Sequence, residues 1–220
     1  MAAGSRSVYK GVAVGLLLAG LSFRAAGIQT KSPAYLANAS LLVASRDLDD
    51  PNFAETVILV VHYDADGVVG LILNKRTEVP LSRAFDGLRA AKSRTDFVYL
   101  GGPVDPSAVF GLRQSREKIE GAANVFGDVF LISGRTVLEK TFSSRPDPAG
   151  FRVYLGYTGW TNAQLRKEVE LGAWFIFRAD AAAVFDADPD TLWRRMIRKT
   201  EQKLAGPLLQ GPVSLARLHL

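Results

Sequence analysis

TVILVVHYDADGVVGLILN, Thr56 to Asn74, decides the fold class. TVILVVHY is apolar and β-branched, DADG (Asp64–Gly67) is a turn, and VVGLILN (Val68–Asn74) is apolar again. An Asp-Gly pair between two such runs signals a β-hairpin, because the turn needs a residue that tolerates positive φ. Neither run alternates cleanly between apolar and polar residues, so the hairpin is expected to be buried on both faces.

On the N-terminal side, ASLLVAS (Ala39–Ser45) reads as a strand, and RDLDDPNF as a loop in which Asp50-Pro51 favours a turn. On the C-terminal side, LSRAFDGLRAAK (Leu81–Lys92) has helical apolar spacing at Leu81, Ala84, Phe85 and Leu88. Strands are expected at Asp96–Leu100, Ala108–Gln114, Val125–Ser133, Phe151–Tyr157 and Ala173–Phe177, with a short helix at Thr136–Phe142. DPDTLWRRMIRKTEQKL reads as a last helix with Asp188 as N-cap and Pro189 at its first position. Hairpins with interspersed helices give an α+β fold with an antiparallel-rich sheet in one domain, residues 39–206. Residues 28–38 read as a linker and 207–220 as a tail.

The chain has 220 residues, 48% hydrophobic and 22% charged, as a globular protein does. It has no cysteine, which excludes disulfides, thiolate metal sites and a cysteine nucleophile. The net charge of +5 belongs mostly to residues 1–31, which hold Arg6, Lys10, Arg24, Lys31 and no acid. The other 189 residues carry +1, a poor footprint for nucleic acid. Residues 1–27 have the layout of a secretory signal peptide: Arg6 and Lys10, an uncharged run of 13 residues (Gly11–Phe23), then small residues at Ala25 and Gly27. An uncleaved anchor and an extension from a mis-assigned start remain alternatives.

His62, Asp64 and Asp66 alternate in HYDAD and could share a metal, yet two aspartates at a hairpin turn are ordinary and no second histidine is near. No metal and no cofactor are expected. The other histidine, His219, is next to the C-terminus, and G-x-S-x-G, G-x-x-x-x-G-K-[ST] and G-x-G-x-x-G are absent. Arg194, Arg195, Arg198 and Lys199 form one face of the last helix, opposite Leu192, Trp193, Met196, Ile197 and Leu204. That face is read first as solvated and second as a phosphate-binding surface.

The candidate site is a set of strand-end loops: Asp50, Asn74, Gly101, Gly102, Pro103 and Tyr157. Paired glycines permit close backbone approach, so these loops could form one shallow polar cleft for a small polar ligand or a partner peptide. In LGYTGWTNAQL (Leu155–Leu165), Gly156 and Gly159 are expected to make a strand-to-helix corner, and Thr161 and Gln164 a capping box. Trp160 then sits just before the N-cap, buried and placed to staple onto Leu165.

Three of these stretches resemble the AlgH/YqgE family: LLVASRDLDDPNFAETVILVVHYDADGVVGLILNK, VYLGGPV and LGYTGWTNAQLRKEVELGAW. The resemblance runs from about Leu41 to Lys203. It implies an α+β fold with a curved, barrel-like sheet, a transcriptional-regulator label drawn from genetics, and no generally accepted activity or cofactor. Arg76 replaces a usual proline, and Thr161-Asn162-Ala163 replaces a usual small-Pro-Gly entry to the helix. The expectation is a non-enzymatic binding or regulatory protein, exported to the periplasm or beyond, with an unknown protein or small polar ligand as partner. Membrane contact is expected only if the N-terminal segment stays attached. A cytosolic nucleic-acid-associated regulator and an enzyme using the loop cluster are the alternatives.

Overall fold

The structure, a computed structural model, describes residues 36–205. The signal-like segment and His219 lie outside the described residues. The hairpin forms where the sequence places it. β2 (Val57–Asp64) and β3 (Gly67–Ile72) pair antiparallel around a turn at Ala65 and Asp66. Positive φ falls on Gly67 (+144°), the residue that opens β3.

Ten strands form one sheet. β1 (Ser40–Ala44) lies between β2 and β10 (Trp174–Arg178). β3 leads to β9 (Phe151–Trp160), then β6 (Val104–Gln114), β8 (Val129–Ile132) and β7 (Ala123–Phe126). β5 (Phe97–Leu100) and β4 (Arg76–Pro80) branch from β9. The branch point is Gly156. Before it, Val153–Leu155 pair in parallel with Val98–Leu100; beyond it, Thr158–Trp160 pair antiparallel with Val68–Gly70. One strand thus serves two halves of the sheet, changing neighbour at a residue with φ +70°. Ladder irregularities at Val60/His62 and Val104/Val109 add bends, as bulges do. The architecture is α+β: an antiparallel-rich, curved half-barrel sheet with flanking helices.

Side chains alternate across the strands, and both faces are covered. Tyr99 and Tyr154 point into the larger core with Leu42, Leu59 and Trp174; their neighbours Val98 and Val153 point into a second core with Leu138, Phe142 and Phe151. Burial on both faces explains why the apolar runs do not alternate. α3 (Asn162–Glu170) packs on β3, β9 and β10, and α5 (Pro189–Ala205) on β1, where the Trp193 indole N–H donates to the Ala44 carbonyl at 2.8 Å. α2 (Arg135–Ser143) contributes Leu138 and Phe142 to the second core.

Four local expectations are corrected. The helix over Leu81–Lys92 breaks into α1 (Leu81–Ala84) and a 3-10 turn (Arg89–Ala91), with Leu88 extended at φ −100° and ψ 106°. Asp86-Gly87 is a poor helical pair, and Phe85 instead packs on Phe142 with ring centroids 5.5 Å apart. Val125–Ser133 is a hairpin, β7 to β8, turning at Gly127 (φ +48°) and Asp128. β4 and the short α4 (Ala181–Val184) were not expected: β4 is polar, largely exposed and ends in proline. Finally, β9 runs through Gly156 and Gly159 to Trp160, so those glycines form no corner. The chain turns only at Thr161. There the capping box stands: Gln164 N–H donates to Thr161 Oγ1 (3.2 Å) and Thr161 N–H to Gln164 Oε1 (2.9 Å).

Candidate functional site

The motif glycines are first of all a backbone crossing. Gly101 N–H donates to the Leu155 carbonyl at 2.7 Å, and Ile72 N–H to the Gly101 carbonyl at 2.9 Å. These bonds stitch the ends of β3 and β5 onto the middle of β9. A Cβ on Gly101 would overlap the Gly156 carbonyl, and one on Gly102 the carbonyl of Tyr157. A Cβ on Gly156 would lie 2.5 Å from the Gly102 oxygen. Real Cβ atoms do not approach so closely, so the three positions admit only glycine while the strands keep this spacing.

The flanking polar residues serve the same junction. Asn74 Oδ1 accepts from Val57 N–H (2.8 Å) and its Nδ2 donates to the Glu55 carbonyl (2.9 Å), which fixes Glu55 at φ +56°. The Asp50 carboxylate accepts from Asn52 N–H (2.8 Å), and its carbonyl from Phe53 and Ala54 N–H. This folded loop drives Phe53 against Trp160 and Trp174, with ring centroids 5.7 and 5.9 Å away. Trp160 is buried in the same apolar cluster as Leu165. Its indole N–H and that of Trp174 both donate to Glu168 Oε2, at 3.1 and 2.8 Å.

Against this crossing lies a cavity of about 250 Å³. Gly102 and Pro103 line it, with Asn52, Ile72, Lys75, Leu100, Pro106 and Leu155. Of the six expected residues, the structure brings Gly102 and Pro103 to the cavity. Gly101, Asn74 and Asp50 support it through the bonds above, and Tyr157 packs on Phe110 (5.8 Å) instead of lining it. The walls are mostly apolar, not polar: Ile72, Leu100, Pro103, Pro106 and Leu155 supply them, and the Gly101 amide is used within the sheet. The charged group is Lys75, half-buried, whose Nζ donates to the Asn52 carbonyl at 2.8 Å. Burial lowers its ammonium below the usual range, against the opposing pull of Asp50. Leu100, 49% exposed, forms the rim and is one of three exposed large hydrophobic residues among those described. Lys75 ends the first motif, and that was its only sequence signal. The exposure of Leu100 had none, since it reads as the last apolar residue of a buried strand.

The other constellations have ordinary partners. His62 Nε2 lies 2.7 Å from Asp64 Oδ2 at the surface. The Asp66 backbone N–H, and after it His62, hold the Asp64 carboxyl below its usual range. Among the described residues no three His, Asp or Glu side chains are grouped to hold a metal. On α5, Leu192, Trp193, Met196 and Ile197 are buried and the four cations exposed; Arg195 is tied to Asp186 at 2.8 Å. No helix of the described residues is long and apolar enough to cross a membrane. A larger opening, about 800 Å³, lies between the edge strands β10 and β7. Another of about 500 Å³ lies between the α1 turn and α2.

A family model described as AlgH-like matches residues 41–205. A UPF0301 protein of Myxococcus xanthus is 34% identical over 161 residues, covering 72% of this chain and 87% of that protein. One from Chlorobaculum tepidum is 33% identical over 159 residues, covering 72% and 83%. Among solved structures, the AlgH protein from Pseudomonas aeruginosa is similar at a TM-score of 0.59 and 25% identity, covering 88% of this chain and all of that one. A Corynebacterium diphtheriae protein shares the fold at a TM-score of 0.63 and 21% identity, over 74% of this chain and 87% of that one. None of these names states an activity or a ligand.

Proposed function

The chain belongs to the AlgH-like family, and from that premise we propose that it is an exported, non-catalytic binding protein acting through the cleft beside the glycine crossing. The observation that carries the binding reading is the pairing of a half-buried lysine with an exposed leucine in one cavity. An exposed apolar side chain at a concave rim marks a place where something docks. The groups that perturb their neighbours elsewhere are structural: Glu168 bonds two indoles and Asp186 pairs with Arg195. His62, the one histidine among the described residues, lies 2.7 Å from Asp64 at the surface. The supported reading is therefore recognition by a preformed surface.

A photo-crosslinking residue at position 100, compared with one at Leu171, tests the site. Leu171 is also exposed (43%) and lies outside the cavity. A defined adduct from position 100, absent from 171 and suppressed by enlarging Pro106 to tryptophan, is the expected result. Equal labelling from both positions, or labelling from 171 alone, overturns it. Export rests on the n-region, apolar run and small residues of positions 1–27. N-terminal sequencing of protein from native cells is expected to begin near Ile28; an intact Met1 in the cytosolic fraction rejects it.

A further inference from the structure

The chemistry of the cleft selects its ligand, and this inference rests on the binding reading above. We infer that the cleft takes a monocarboxylate carrying a short apolar body, with the carboxylate on Lys75 and the body against Leu100, Pro103 and Pro106. Three observations lead there. First, an ammonium has three donors, and Lys75 uses one on the Asn52 carbonyl at 2.8 Å, which leaves two for an acceptor. Second, the lysine is half-buried and no carboxylate of the chain lies within ion-pair distance of it among the described residues. Asp50 acts on it from farther off, its Oδ1 accepting from Asn52 N–H. A partly desolvated ammonium favours an anion that completes its hydrogen bonds.

Third, size and wall chemistry narrow the class. About 250 Å³ falls below the range of roughly 300–1,000 Å³ typical of sites for drug-sized ligands. The enclosed part holds one small group. Apart from Asn52 and Gly102, the remaining walls are prolines, leucines and an isoleucine, which suit a few methylenes and give no second cation for a dianionic phosphate. The same chemistry could come from a free short-chain acid or from the last residue of a polypeptide.

The test is amide NMR on the full chain with butyrate and its neutral isostere butyramide, and with acetyl-Gly-Leu as free acid and as C-terminal amide. Butyrate is expected to shift the amides of Lys75, Leu100 and Gly102 and to bind at least tenfold more tightly than butyramide. Lys75→Met should abolish that preference while leaving butyramide affinity within twofold. Lys75→Arg, which keeps the charge, should retain part of it and guards against a folding defect in the methionine variant. Tighter binding of the dipeptide acid than of butyrate assigns the source to a chain terminus; the reverse assigns it to a free acid. Equal affinity of acid and amide, with shifts still in the cleft, overturns the carboxylate assignment and leaves the binding reading standing. Shifts from butyrate that survive unchanged in Lys75→Met, or that map elsewhere, overturn it as well. The position-100 crosslink then judges the site independently.

Discussion

Gly102→Ala is expected to destabilise this chain severely, by more than about 4 kcal/mol. The new methyl group would overlap the Tyr157 carbonyl and stand 2.6 Å from the Thr158 nitrogen, at a backbone φ of +154°. Its neighbours are main-chain atoms of β9, so no rotamer change relieves the overlap. β9 cannot move aside either. It is hydrogen-bonded to β3, β5 and β6 at once, and Gly156 meets Gly102 with the same intimacy from the other side. Overpacking of flexible core side chains costs about 1–3 kcal/mol; an overlap of two backbones in the middle of a sheet should exceed about 4 kcal/mol. That is a large part of the roughly 5–15 kcal/mol that holds a domain together. Gly87→Ala is the matched control, because a Cβ there meets nothing within 4 Å and the glycine has no left-handed φ. It should change stability by about 1 kcal/mol or less. Urea unfolding followed by circular dichroism makes the comparison, and a Gly102→Ala protein within about 1 kcal/mol of the parent would show that the crossing is not rigid.

That crossing also marks how far the sequence could be read. Thr56–Asn74 declared its hairpin locally, through an Asp-Gly pair between two β-branched runs, and Thr161 and Gln164 declared a helix start from two residues three apart. Such signals involve neighbours in the chain. The role of Gly101, Gly102 and Gly156 depends on two segments more than 50 positions apart passing within backbone contact, so the glycines could be singled out but not interpreted. Val125–Ser133 reads as one strand because apolar residues flank Gly127-Asp128 on both sides and hide the turn in a continuous run. β4 escaped because Arg76–Pro80 is polar and ends in proline, while its partner β5 supplies the ordering. At the site, the loops of the second motif are legible in the sequence but the cavity's cation and rim are not. Lys75 is only the last residue of the first motif until Asn52 and Leu100 are placed beside it.

The second large effect concerns Glu168, where the first and third motifs are locked together. Trp160 and Trp174 are buried, and both indole N–H groups end on the same Oε2 atom. Their rings meet edge to face at 6.1 Å, and Phe53 of the Asp50 loop packs on both. Glu168→Leu keeps the volume and removes the acceptor. Each buried donor left without a partner costs about 1–3 kcal/mol, so with two of them the variant should lose about 2–6 kcal/mol. Glu168→Gln keeps an oxygen for both indoles and should behave differently, for a reason that lies in the carboxyl's protonation. Burial raises the Glu168 carboxyl above its usual range, and the indole hydrogen bonds pull it only partly back. The folded state therefore binds this proton more tightly than the unfolded chain does. The stability it contributes is fully present below the ordinary glutamate value, and it is lost as pH rises through the raised folded value. Glutamine fixes the uncharged form. Glu168→Gln should be at least as stable as the parent at pH 7 and should flatten the decline in stability that the parent shows as pH rises from acid toward neutral. Thermal melts of the three proteins across that range decide it. A leucine variant as stable as the parent would show that the two indoles find acceptors elsewhere. A glutamine variant as damaged as the leucine one at pH 7 would show that the negative charge itself, not the oxygen, holds the tryptophans.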